Sequence, residues 1–427
     1  MAKPSIFVNF GLLKRNANFR AIFIARLLSV LALGMLAVGV PVQIQAMTGS
    51  TLQVGIAVAL DGAGMFVGLL LGGVLADRLD RRRLILFART TCGLGFAALS
   101  YNAFLAAPSL AALYILAVWD GFFGALGMTA LMAAIPALVG RENLATAGAL
   151  SMLTVRLGAI VSPAVGGVVI VAYGVEWNYA IAAIGTLITL IPLFSLPGMR
   201  PEPQEPEHPL RSLATGIHFV FSHKIVCSVV IVGALISVIS AVRVLFPALA
   251  ETAYHAGPAA IGLMYSAVPL GAMIGAFTSG WVTHVARPGM LLLGCAIGAF
   301  LAIVALGVVG WLPLALIALA CYGYLSAMAS LLQYTLVQSH TPDRLLGRVN
   351  SVWTTQDVTG DSIGALGLGV LGRMLTPALS VLAFGGVAAL CGVGIALCVG
   401  PLRKAVMGAP SLHEEPEPAE TPQATSS

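Results

Sequence analysis

The chain has 427 residues, 59% of them hydrophobic and only 9% charged, with 22 Lys and Arg against 17 Asp and Glu. Its 48 glycines raise the apolar share to about 70%, whereas a soluble domain averages about 45–50% apolar and a quarter charged. Too few ionised side chains remain to clothe a soluble globule, and the apolar runs lack the two-residue alternation of an outer-membrane barrel, which leaves a helical integral membrane protein.

A helix needs about 20 apolar residues to cross a bilayer. That ruler predicts twelve spans, at 19–46, 52–76, 84–105, 109–135, 144–172, 177–197, 225–250, 258–283, 288–309, 312–338, 346–374 and 377–400. The first is too long for a signal-peptide core and is expected to stay as an anchor. Between spans 6 and 7, Pro197 to Lys224 includes the Pro/Glu run 200–209, which cannot bury itself and reads as an extended linker. The tail from Pro410 is Glu-rich and is expected to be disordered. The predicted domains are therefore a six-helix bundle over 1–197, a cytoplasmic linker over 198–224, a second six-helix bundle over 225–404 and a tail over 405–427.

Eighteen of the 22 Lys and Arg fall in segments or helix ends on one side, if the N-terminus is cytoplasmic; Arg89 is counted there. Only Arg373 falls on the other side, and Arg26, Arg156 and Arg243 lie within spans. By the positive-inside rule both termini are cytoplasmic, and the net charge of +5 calls for no nucleic acid. The halves also repeat. Gly73 and Gly280 are 207 residues apart, as are Gly140-Arg141 and Gly347-Arg348, and Asn143 and Asn350. Internally repeated helical halves mark secondary transporters, whose site lies between the repeats near the midplane.

Three motifs carry a resemblance. The loop after span 2 reads Gly73-Val-Leu-Ala-Asp77-Arg78-Leu79-Asp80-Arg81-Arg82-Arg83. It is similar to the hallmark G-x-x-x-D-R-x-G-R-R of the major facilitator superfamily, with Asp80 in place of the second glycine. Span 5 reads Arg156-Leu-Gly158-Ala-Ile-Val-Ser162-Pro163-Ala-Val-Gly166-Gly167 and resembles that superfamily's antiporter motif, with Ser162 for one glycine. Span 4 places Asp120 where the superfamily's pattern has an arginine, so the arginine's proton role does not carry over. The resemblance implies the major facilitator fold, a gating clasp at Gly73, Asp77, Arg78, Arg81 and Arg82, and export. The residues themselves say that small side chains allow close helix approach and that Pro163 permits a bend.

Stretches at 19–26, 40–45, 118–123, 136–143, 152–158, 240–249, 330–335 and 358–361 resemble, more closely, the bacterial family of enterobactin exporters. That resemblance implies efflux of a catecholate siderophore across the inner membrane, coupled to protons, with hand-over to outer-membrane machinery. It implies no cofactor.

Seven ionisable residues sit inside spans: Arg26, Asp61, Asp120, Arg156, Arg243, Asp357 and Asp361. None falls in spans 3, 6, 9 or 12, the lipid-facing helices of the resembled fold. A charge at the bilayer centre costs about 2.5–3.5 kcal/mol on insertion scales, so each implies a cavity or a partner. These seven are the candidate substrate-binding or coupling residues. No histidine falls mid-span, which leaves the aspartates as proton carriers. Arg156 and Arg243 offer stacking and forked hydrogen bonds to a catechol, while pairing with Asp120 or Asp361 is the alternative. The six cysteines form no CxxC pair, Gly62-Ala-Gly64 follows no strand, and no nucleotide loop or catalytic constellation appears. A broad multidrug antiporter, or a transporter-like sensor, are the competing functions.

Overall fold

The computed structural model describes residues 11–140, 143–200, 209–403 and 405. Positions 201–208 of the Pro/Glu run expected at 200–209, both termini and the tail from 406 lie outside them. Every described element is a helix. The first half runs α1 Gly11–Arg15, α2 Ala17–Thr48, α3 Thr51–Arg78, α4 Arg81–Phe104, α5 Leu110–Val139, α6 Leu144–Tyr173, α7 Val175–Ile188 and α8 Leu190–Phe194. The second runs α9 Pro209–Ser222, α10 Lys224–Ser240, a 3-10 turn Ala241–Leu245, α11 Phe246–Thr252 and α12 Pro258–Thr278. A second 3-10 turn, Ser279–His284, precedes α13 Pro288–Val308, α14 Leu312–Ser339, α15 Asp343–Met374, α16 Pro377–Cys398 and α17 Gly400–Arg403.

Among the described residues, eleven helical segments are long and apolar enough to cross a membrane. The expected twelfth is α15. It has the length, at 32 residues, but Asp343, Arg344, Arg348, Asp357, Asp361 and Arg373 dilute its apolar content. Apolar content alone therefore passes over a helix that carries two of the seven candidate charges, Asp357 and Asp361, although its length marks it as the span expected at 346–374.

The termini of these helices follow local chemistry. Asn16 caps α2 by accepting the Phe19 N–H at 3.0 Å, and Gly49 ends it in the left-handed region at φ 59°, where its N–H returns to Gln45 O. Asp80 caps α4. Within the first half, α3 packs on α5, α2 on α6 and α7, and α4 on α5 and α7; within the second, α12 packs on α14, α13 on α14 and α16, and α10 on α15. Each bundle has its own apolar interior, Phe96, Leu113 and Leu126 in the first and Phe300, Leu319 and Leu332 in the second.

The linker corrects one expectation. It is not extended throughout, because Pro209–Ser222 forms α9 and lies on α15. Gly216 makes this possible. A Cβ built on it would stand 2.6 Å from the Arg348 carbonyl oxygen. The Pro/Glu composition of the preceding residues hides the three-to-four-residue spacing of Gly216 and Val220, both buried.

Candidate functional site

Arg243 enters the site through a break in its helix. Pro247 has no N–H, so the Arg243 carbonyl four residues earlier loses its α-helical donor. The chain turns 3-10 there, the Phe246 N–H reaches Arg243 O, and Tyr265 of α12 donates its hydroxyl to the same oxygen at 3.1 Å. The guanidinium then grips Asp361 of α15 in a fork, Nη1 to Oδ1 at 2.6 Å and Nη2 to Oδ2 at 2.5 Å. Ser240 adds its hydroxyl to Asp361 Oδ1 at 2.8 Å. One turn back, Asp357 accepts the Ser237 hydroxyl at 2.6 Å. The ion pair is not sealed, since its side chains are 34% and 21% exposed.

Among the described residues, the closest approaches of the two bundles fall towards one end. A Cβ on Gly55 of α3 would lie 2.4 Å from the Ala365 oxygen of α15, and one on Gly62 would strike the Ser362 hydroxyl. Thr51 donates its hydroxyl to the Gly369 carbonyl at 3.2 Å. All these contacts lie in the first part of α3 and the last part of α15. Helical periodicity carries the same two faces on to Gly73 and Asp77, and back to Ser351 and Thr354. Those four residues are exposed, and a Cβ on Gly73 would meet nothing within 4 Å. The second contact repeats the pattern. Gly167 of α6 lies against the Pro258 oxygen and Gly262 of α12, and Gly262 against the Pro163 oxygen, whereas Met152, further back on α6, is 61% exposed. The bundles are joined at the Thr51 end and parted at the Arg-rich end.

The small residues of α6 divide their contacts accordingly. Gly158 and Gly166 sit against Val30 and Met35 of α2, and Ser162 donates to Val30 O at 3.2 Å, all within one bundle. Gly167 and the Pro163 carbonyl face the other bundle, while the Pro163 ring lies against Gly34 of α2.

The 73–83 stretch, expected as a loop, is helical except at Leu79 and Asp80, and its Asp77 and Arg78 are exposed and form no ion pair among the described residues. Arg81 donates Nη1 to Ala133 O at 3.0 Å and Arg82 donates Nη2 to Phe194 O at 2.5 Å, so both bind their own bundle. Asp80, the departure from the motif, ties the loop together: its Oδ1 accepts the N–H of Arg82 at 2.9 Å and of Met199 at 3.1 Å. Burial pushes the Asp80 carboxyl up, but the Met199, Arg82 and Arg83 N–H groups and the Arg83 charge outweigh it and hold the carboxyl below its ordinary value.

The remaining candidates lie in the first bundle. A Cβ on Gly121 of α5 would stand 2.0 Å from the Asp61 carbonyl oxygen, so α3 and α5 cross at Asp61 and Gly121, with Asp120 adjacent. Asp120 Oδ1 is buried and has no hydrogen-bond donor. Arg26, Asp61 and Arg156, all half-buried, make no hydrogen bond or ion pair among the described residues.

Arg89 departs from expectation. Counted with the inner-side charges, it is instead 8% exposed inside α4, the third span, and its Nε has no partner. Its charged neighbours are Asp120 and Arg26. Asp120 also neighbours Asp61, which in turn faces Arg243 and Asp361 of the second bundle. A chain of charges of both signs thus runs through both bundles, with Arg26 beside Arg89 and Asp120 beside Asp61 as like-charged neighbours. The sequence carries the signal: Arg89 shares the buried face of Ile85, Ala88, Cys92 and Phe96. No group of three or more His, Cys, Asp or Glu that could hold a metal occurs among the described residues, and the six cysteines are free.

The profile of the Major Facilitator Superfamily matches residues 22–364. Enterobactin exporter EntS of Citrobacter koseri is 54% identical over 407 residues, 95% of this chain and 97% of its own. Enterobactin exporter EntS of Shigella boydii is 54% identical over 404 residues, with the same shares covered. Among solved structures, a mutant of the nucleoside transporter NupG superposes with a TM-score of 0.75 at 11% identity, covering 90% of this chain and 99% of that one. A bacterial homologue of the human lysosomal transporter Spinster, inward-facing and unoccupied, gives 0.66 at 15% identity, covering 91% and 95%. At these identities the structures show the fold alone.

Proposed function

The chain belongs to the major facilitator superfamily, and from that premise we propose that it exports a catecholate siderophore, enterobactin or a relative, from cytoplasm to periplasm. It is a multi-pass membrane protein and a secondary transporter, not an enzyme. The observation that carries the substrate reading is the 54% identity to exporters of that name along 95% of the chain. The match covers 95% of the chain and therefore takes in both bundles.

Orientation rests on the charge census, which puts the Arg-rich end in the cytoplasm of a bacterial inner membrane. The parted end is then the inner one, and the arrangement is the inward-open state of an alternating-access cycle. Catechol recognition falls to the arginines. Arg156 has no ion pair among the described residues and lies on the α6 face that further along meets α12, so it is available. Arg243 binds substrate only by exchanging its Asp361 partner. The two stand on opposite bundles, so one ligand bridging them pulls the bundles together as the inner end closes.

Proton antiport uses one or more of Asp120, Asp357 and Asp361, with the substrate passed onward to outer-membrane efflux machinery. The test is a deletion strain under iron limitation. Intact siderophore is expected to vanish from the medium and to return with the plasmid-borne gene. Unchanged release, with no compensating exporter, would promote the multidrug alternative.

A further inference from the structure

The charges that run through the two bundles are unequally satisfied. Asp361 is satisfied three times over, by the two arms of Arg243 and by Ser240. Asp357 accepts from Ser237 and is exposed to the parted end. Asp61 and Asp120 are different. Among the described residues neither has a hydrogen bond, they flank the closest crossing of α3 and α5, and Asp120 Oδ1 is buried without a donor. A buried carboxylate oxygen lacking a donor is expensive, and two neighbouring half-buried carboxylates resist ionising together. One proton held on the pair relieves both costs, because the protonated member is neutral and no longer sets a like charge beside its neighbour.

We propose that Asp61 and Asp120 form one acid pair that holds a single exchangeable proton, and that Arg89 is the positioning residue that makes this proton releasable. The proposal rests on the antiport reading and names its proton site. The charged groups facing the pair are Arg89 of α4, Arg243 of the 3-10 turn and Asp361 of α15; Arg26 of α2 and the Cys92 thiol stand beside Arg89. With both members of the pair ionised, the three carboxylates Asp61, Asp120 and Asp361 balance the guanidiniums of Arg26, Arg89 and Arg243. With the proton in place the chain carries one excess positive charge. Release breaks one carboxyl O–H bond, hands the proton to water at the open end, and leaves a neutral chain. Removing the Arg89 charge takes that balance away and makes the proton harder to lose.

The test reads the proton with no siderophore present. Full-length protein in lipid vesicles is cycled between neutral and alkaline buffer and followed by infrared difference spectroscopy of the protonated-carboxyl C=O stretch. Wild type is expected to lose one such band on going alkaline. Asp61→Asn and Asp120→Asn each abolish it, and Asp357→Asn does not. Asp120→Glu, the gentler change, shifts its frequency without removing it. Arg89→Gln moves the midpoint by roughly tenfold towards lower proton concentration, and Arg89→Lys restores it. A wild type without the band, or a band untouched by both Asn variants and by Asp120→Glu, overturns the proposal. The siderophore reading fails separately, if the band behaves as described but the deletion strain still releases siderophore.

Discussion

Gly55→Ala perturbs the contact that defines the observed state. The built Cβ stands 2.4 Å from the Ala365 oxygen and the Gly369 Cα is close behind, so backbone rather than a movable side chain opposes it. An ordinary carbon–oxygen contact needs about 3.3–3.6 Å, which means α3 and α15 must part by about 1 Å at the Thr51 end. Overpacking of that kind costs roughly 1–3 kcal/mol. The cost falls on the state in which these faces touch, so the population should move towards the opposite state by a factor of about 5–150. Ser351 is exposed in the parted end and reports the change. A cysteine placed there in a cysteine-free background should react with a maleimide more slowly in the Gly55→Ala protein, by up to that factor. Equal labelling, with the protein inserted and folded, would refute the reasoning that this contact holds the parted state.

Gly73→Ala and Asp77→Asn should act on the opposite state: neither touches anything where the ends are parted, so maleimide labelling at position 351 should persist while transport falls several-fold. Arg156→Ala should leave protein abundance normal and abolish export, since no ion pair is broken; a drop in abundance, measured by immunoblot, contradicts a binding role. Asp80→Ala should cost about 0.5–2 kcal/mol in a thermal melt at neutral pH, by loss of the α4 cap. Because the folded Asp80 carboxyl is held below its ordinary value, wild type keeps that stability above about pH 3.9 and loses it as the pH falls through the lowered value, so the two melts should converge in acid.

Much of this architecture is legible in the sequence, and the exceptions share a cause. Apolar runs place the spans within a few residues of α2 to α16 because backbone satisfaction in lipid leaves helices little choice. Pro247 already implies a break, and a break implies a freed carbonyl, but only the fold shows Tyr265 arriving to satisfy it. The alternatives left open for the arginines divide in three dimensions, with Arg243 on Asp361 and Arg156 on neither candidate. Pairing depends on rotation of helices far apart in the chain, which spacing does not encode. Nearness to a helix end, where a long side chain can snorkel, puts Arg89 among the inner-side charges. Its helical face, shared with Ile85 and Cys92, points the other way and wins. The motif makes the arginines of the 81–83 loop an inter-bundle clasp, yet Arg81 and Arg82 bind carbonyls of their own bundle. Motif spacing identifies that loop without saying which of its charges meet a neighbour in a given state.

Reconstitution tests the central claim most directly. Purified full-length protein in sealed vesicles is given iron-free enterobactin on the side of its Arg-rich end and an imposed proton gradient directed towards that side. The account predicts that enterobactin accumulates on the other side against its own gradient, that a protonophore stops it, and that Arg156→Ala and Asp120→Asn vesicles show none of it. Movement of lipophilic cations under the same gradient, with enterobactin left where it was added, would contradict the account.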